Sequence, residues 1–219
     1  MQQLIIFGTG PLARLLHHLI ETTTGDKVVA FTVDAAYKTC EQFEGKPVYA
    51  YQELDQHLAT DDIKLLCAIG YSNMRLRQQL FLRLKVDGRR FYSYISPAAV
   101  VDSSVVLGDN SVIMANVVVE PFCILGDNNL LWSSSTLCHD STVGSHNFVA
   151  AGTTIGGCCR IGDLCFFGFN SVVIQQLHIA DESLIGASAL VLHDTALAGK
   201  YIGSPARVVS THQDTGIRQ

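Results

Sequence analysis

Charge is scarce in this 219-residue chain: Asp, Glu, Lys and Arg make up 16% of it, and the formal net charge is −5. Without an excess of positive side chains it does not neutralise phosphates along a duplex, so nucleic acid is set aside as a partner. Single nucleotides held by backbone amides stay open. Long hydrophobic runs are missing as well. Nowhere do eighteen apolar residues follow one another, so no spanning helix and no membrane partner is expected. The run Leu4–Phe7, preceded by the uncharged Gln2-Gln3, is too short for a secretory leader, and a cytoplasmic setting is expected. The seven cysteines include no CxxC pair and are odd in number, which predicts reduced structural thiols and no metal. What the chain has is apolar residues, 48% of the total, which excludes disorder and supplies a core. Low charge also fits a protein that hides some surface in an oligomer.

Those apolar residues keep a six-residue beat from Ile95 to Ala196. The first position of each hexad reads Ile95, Val101, Leu107, Ile113, Val119, Leu125, Leu131, Leu137, Val143, Val149, Ile155, Ile161, Phe167, Val173, Ile179, Ile185 and Val191. The fifth position is mostly small, as at Ser111, Cys123, Ser135, Ser141, Thr153, Cys159, Cys165 and Ser171. A period of six fits neither a helix nor a straight strand; it fits a parallel β-helix whose short strands turn a corner every hexad. Three hexads make a triangular coil, and seventeen hexads make between five and six coils, a prism roughly 27 Å tall at about 4.8 Å per strand spacing. The hexads do not fix the hand of the coil, and right-handed crossovers are the general default.

Residues 1–92 have another character. Leu4–Phe7 reads as a buried strand, followed by Gly8-Thr9-Gly10 and a helix from Pro11 to about Thr22, with proline suited to its first turn. Val28–Val33 is a second strand ending at Asp34. Glu53–Leu58 reads as a short helix, Lys64–Ile69 as a strand closed by Gly70, Asn73–Leu84 as a helix, and Phe91–Ile95 as a last strand. Alternation of this kind predicts a parallel sheet in a small Rossmann-like domain. The turn Gly8-Thr9-Gly10-Pro11-Leu12-Ala13 holds two glycines of a dinucleotide fingerprint, with Ala13 for the third and Asp34 where a ribose-binding acid would stand. The other reading is a tight turn that needs glycine for its backbone. The domain is short for two mononucleotide halves, which favours one nucleotide or the nucleotide part of a sugar substrate.

With the hexads, the step His139-Asp140 inside Leu137–Gly144, and the ending Tyr201-Ile202-Gly203-Ser204-Pro205-Ala206-Arg207, nearly the whole chain resembles the left-handed β-helix acyltransferases. It is similar to their branch of sugar acetyltransferases of the sialic-acid O-acetyltransferase and bacillosamine N-acetyltransferase type. The resemblance supplies the left hand. It implies three regions: a nucleotide-sugar-binding domain over 1–92, an acetyltransferase coil over 93–196, and a tail over 197–219. It places the general base at His139, and imidazole titrates close to neutrality, as that task requires. Asp140, where the family often has Glu, would support the ring. Acetyl-CoA contacts carried over by position fall on Gly157, Phe169 and Ala187. A family histidine that touches the thioester has Phe148 at its position here, so His146, two residues earlier, or a backbone amide would take that contact. Substrate contacts fall on Gly10, Pro11 and Leu12, on Val33 and Asp34, and on Gly70 with Tyr71 beside it. Leu12 stands where the bacillosamine-type enzymes carry a histidine.

The function implied is acetyl-CoA-dependent N-acetylation of a nucleotide-linked amino sugar, a 4-amino-4,6-dideoxy hexose, in bacterial surface-glycan synthesis. Coenzyme A would lie in a groove between neighbouring prisms, which implies a homotrimer with three shared sites. Two rivals remain: O-acetylation of a sialic-acid-type sugar, and a coil that serves as a trimeric scaffold without catalysis.

Overall fold

A computed structural model describes residues 1–58 and 62–218, and the chain divides into two compact units. The first holds Met1–Gly70 and Leu80–Tyr94; the second holds Tyr71–Gln79 and Ile95–Gln219.

In the first unit the elements run β1 (Gln3–Phe7), α1 (Pro11–Thr23), β2 (Lys27–Val33), β3 (Gln42–Phe43), β4 (Lys46–Ala50), α2 (Leu54–His57), β5 (Lys64–Cys67) and the later turns of α3 (Met74–Val86). The sheet order is β3-β4-β2-β1-β5. Strands β4, β2, β1 and β5 are parallel, and the run Leu4–Phe7 is buried throughout, as expected of a strand covered on both faces. The sheet is nonetheless mixed, because β3 pairs antiparallel with β4. Glu44 and Gly45 between them both have positive φ, +48° and +74°, the geometry of a tight primed hairpin turn. Ile5, Phe7, Ala30, Leu54, Leu65, Phe81, Leu84 and Phe91 form the core.

The second unit is a coil of seventeen two-residue strands, from Tyr94–Ile95 to Leu190–Val191, arranged in three parallel sheets. Each strand pairs with the one eighteen residues on: Val119 with Leu137, Leu137 with Ile155, Ile155 with Val173. The first hexad position points inward. From Ile113 to Val191 all fourteen of these residues are at most 4% exposed. Ile95, Val101 and Leu107, in the first coil, are not buried, since they have no coil on their other side. Cys123, Cys159 and Cys165 fill the interior beside them, fully buried.

The corners are made at the fourth hexad position. Every sixth residue from Asn110 to Ser188 has φ between +53° and +73°, and only Gly152 among these fourteen is glycine. A left-handed conformation costs an ordinary residue about 1–2 kcal/mol. From Asn128 to Ser188 the cost is offset because the corner N–H donates to the carbonyl one residue before the corner of the preceding coil, as Asp140 to Pro121, Cys158 to His139 and Ser188 to Phe169. Glycine after the inward residue lets coils close up: a Cβ on Gly156 would lie 2.5 Å from the Gln175 nitrogen.

Residues 71–79 pack on this coil. Tyr71 lies over Phe148 and Phe166 at 4.3 and 5.5 Å between ring centres, and those two rings stack in parallel at 5.1 Å. Arg75 makes a two-pronged ion pair with Glu182 at 2.6 Å, and buried Arg77 donates to the carbonyls of Asn128 and His146.

Two outcomes follow. Phe167→Ala, at a site with no exposure, is expected to cost about 3–5 kcal/mol in denaturant unfolding, whereas Phe169→Ala, 61% exposed, changes it by about 0.5 kcal/mol or less. In thiol labelling at pH 8, exposed Cys158 reacts first, and Cys165, whose thiol burial pushes up to about 12, stays unlabelled until the coil unfolds.

Candidate functional site

Stacking at intervals of eighteen builds three edges along the coil, and chemistry gathers on one of them. Its corners include Phe122, Asp140, Cys158 and Gln176. The His139 backbone is fixed from both neighbours: its N–H donates to a Glu120 carboxylate oxygen at 2.8 Å, and its carbonyl accepts from the Cys158 N–H at 2.9 Å. Its ring projects outward, with Nδ1 at 2.8 Å from Asp140 Oδ2 and both side chains more than half exposed.

An ionised carboxylate only accepts hydrogen bonds, so this contact assigns the ring proton to Nδ1 and leaves the Nε2 lone pair free. Such a tautomer is ready to take a proton at Nε2. Asp140 is aimed by its own backbone, since φ of +58° at the corner turns the carboxylate back beside the preceding ring. Beneath the ring lies Gly157, buried, where a Cβ would come within 2.9 Å of Nε2 and 3.0 Å of Cε1. Only glycine leaves the imidazole this seat.

The remaining sequence candidates are scattered. Phe169 and Ala187 share a different edge, one coil apart and both exposed. His146 is on the third edge, 4% exposed, with its ring Nδ1 at 3.0 Å from the Asn128 amide, and Asn128 in turn accepts from Asn110. This buried ladder continues the corner stack and is not in reach of His139 in the same chain. Phe148 is 4% exposed within the aromatic stack beneath Tyr71, on the outside of a sheet and away from the His139 edge.

In the first unit, Gly10 and Pro11 line an open cavity of about 590 Å³ together with Thr9, Arg14, His18 and Glu44. No side chain caps this end of α1, and the N–H groups of its first turn favour an anion. The two glycines of the turn differ. Gly8 has φ of +126° and a Cβ there would press on the Ala68 carbonyl, so its backbone demands glycine. Gly10 has an ordinary φ of −92°, and a Cβ on it would meet nothing within 4 Å. Gly70 is equally open. Leu12 is half-buried and Val33 is 5% exposed at the end of β2. The Asp34 carboxylate is engaged by Arg83 through both oxygens and by Gln52, so it does not stand free as a ribose acceptor.

Glu120 and Cys158 were not anticipated. Both become visible once each residue is compared with those about eighteen positions away, a search that separations of two to four residues never perform.

Comparison with known proteins bears on this geometry. The family model of bacterial transferase hexapeptide repeats matches residues 104–139 and 122–157. The UDP-N-acetylbacillosamine N-acetyltransferase of Bacillus subtilis is 31% identical over 118 residues, which span 52% of this chain and 52% of that protein. The histidine-to-alanine mutant of the GDP-perosamine N-acetyltransferase from Caulobacter crescentus, solved in complex with CoA and GDP-perosamine, superposes with a TM-score of 0.86 at 25% identity, covering 96% of this chain and 97% of that one. Residues 104–157 are thus similar to the bacterial transferase hexapeptide repeats, and the chain spans about half the length of the Bacillus subtilis relative. The acetyltransferase domain of PglB from Neisseria gonorrhoeae, solved with acetyl coenzyme A, shares the fold of this chain at a TM-score of 0.83, 24% identity and 95% and 99% coverage. Among the described residues no helix is long and apolar enough to cross a membrane.

Gly157→Ala is expected to push the His139 ring off its seat and stretch the Nδ1–Asp140 contact beyond hydrogen-bond reach in a crystal structure of the variant. A ring left in place with the 2.8 Å contact intact would show that Gly157 is not its floor.

Proposed function

We propose that this protein is an acetyl-CoA-dependent N-acetyltransferase whose acceptor is a nucleotide-linked amino sugar, a 4-amino-4,6-dideoxy hexose. The observation that carries the reading is the His139–Asp140 pair, with Asp140 Oδ2 at 2.8 Å from Nδ1 and the ring seated on Gly157. Two relatives support the choice of acceptor: the Bacillus subtilis protein is named for a UDP-linked amino sugar, and the Caulobacter crescentus structure holds GDP-perosamine.

In the reaction, the acceptor amine attacks the thioester carbonyl carbon while His139 Nε2 takes the amine proton. Asp140 stabilises the imidazolium that forms. A backbone N–H meets the oxyanion, and as the C–S bond breaks the imidazolium returns its proton to the departing thiolate. The products are the amide and CoA. The nucleotide belongs to the first unit, where α1 presents its uncapped N-terminus to the cavity beside Gly10. The missing side chain at Gly10, which neither its φ nor its packing requires, fits close approach of a diphosphate.

The acetyl donor belongs to the coil, and the active species is a homotrimer in the cytoplasm. Two features support a trimer. Of the positions carried over for acetyl-CoA, Phe169 and Ala187 lie on a different edge from His139 and Gly157, so one donor reaches both sets only where the edges of two copies meet. Two sheets also expose apolar residues, Val106 and Ile124 on one, Val100 and Val172 on the other. Exposed Phe169 stands where it would wall such a groove.

The test is CoA release over a panel of nucleotide-linked amino sugars, with free sialic acid included. Turnover on one of the nucleotide-linked amines is expected, and turnover on the free sugar alone would turn the reading to O-acetylation. His139→Asn is expected to lower kcat about 10²–10⁴-fold, and Asp140→Asn by about 10–100-fold. If His139→Asn stays within about tenfold of the native rate, His139 is not the general base and the scaffold reading gains.

A further inference from the structure

The edge that carries His139 also carries a thiol. Cys158 stands at the corner one coil beyond Asp140, exposed, with φ of +58°. Its sulfur, a ring nitrogen of His139 and a carboxylate oxygen of Asp140 all lie within 4.8 Å of one another. We propose that His139, Asp140 and Cys158 form a binding site for a thiophilic divalent cation of the zinc class, and that the metal there blocks acetyl transfer.

The donor set is the first reason. One imidazole nitrogen, one carboxylate oxygen and one thiolate are the ligands zinc takes, and three protein ligands leave a fourth position open. The thiolate selects zinc over magnesium or calcium, which prefer all-oxygen surroundings. The second reason is geometry. Around a tetrahedral zinc, bonds of about 2.0–2.3 Å place donors roughly 3.3–3.7 Å apart. The observed spread therefore closes by about an ångström, a movement three exposed side chains make without shifting the backbone. The backbone itself is fixed, since the Cys158 N–H donates to the His139 carbonyl at 2.9 Å. The third reason is charge: Glu120, bonded to the His139 N–H, adds a second carboxylate to the neighbourhood.

On binding, the Cys158 thiol releases its proton to solvent as the Zn–S bond forms, and the metal occupies an imidazole lone pair and the Asp140 carboxylate together. Inhibition, unlike binding, rests on the general-base reading of His139. Cys158 takes no part in the transfer itself, so its removal spares the basal rate.

The experiment titrates Co²⁺ and Zn²⁺ into full-length, chelator-stripped protein. One cobalt per chain with a thiolate-to-metal absorption band is expected. Cys158→Ala should abolish the band and weaken zinc, measured against a chromophoric chelator, at least about tenfold. Cys40→Ser, at a thiol elsewhere, should change neither. A band that persists in Cys158→Ala, or equal zinc affinity in the two proteins, overturns the site. In the CoA-release assay zinc should inhibit the native protein reversibly to chelator and inhibit Cys158→Ala at least about tenfold less. Binding without inhibition overturns the block. A native, metal-free protein that turns over nothing overturns the general-base reading instead, and the cobalt band still decides the site.

Discussion

Everything in the second unit depends on one register: residue i sits beside residue i+18, coil after coil, with a left-handed residue at each corner. The register is held by the strand pairs and by the corner N–H that reaches back to the preceding coil. Because these bonds repeat without a shift from Asn128 to Ser188, a residue's neighbours there follow from its number. A one-residue slip would turn the inward column Ile113–Val191 outward and expose it. The same slip would separate His139 from Gly157. Core and site answer to a single constraint.

That constraint makes an exposed corner a place of defined chemistry. Loops usually owe their shape to their own side chains, but here each corner is bonded to the corner of the preceding coil. His139 consequently has a fixed backbone, a ring with a glycine seat and a carboxylate turned toward Nδ1, although the side chain itself is largely open to water. In the first unit the glycines divide in a similar way. Gly8 serves the backbone, and Gly10 leaves space that no described residue fills.

Much of this was legible in the sequence, and the reason is periodicity. The hexads gave the strands one for one, because the coil buries the same position each time. The His139-Asp140 contact was legible because it joins adjacent residues. The β3–β4 hairpin escaped because its turn uses Glu44-Gly45 in place of the usual Asn-Gly. The corner conformation escaped because residues as unlike as Phe122, His146 and Leu164 adopt it; the backbone bonds, not the side chains, impose it. Asn73–Leu84 read as a helix with no sign of what its start packs on, but Arg75 and Arg77 tie that start to the coil through partners at Glu182, Asn128 and His146 far along the chain. Local pattern does not carry such pairings.

Acetyl transfer by this route depends on the state of one ring. In protein with ¹⁵N-labelled histidine, the neutral imidazole of His139, assigned by its loss in His139→Asn, should show a protonated Nδ1 and a bare Nε2. It should keep that tautomer until Asp140 is replaced. A His139 ring that carries its proton on Nε2 would contradict the account, because it would have no lone pair to offer an incoming amine.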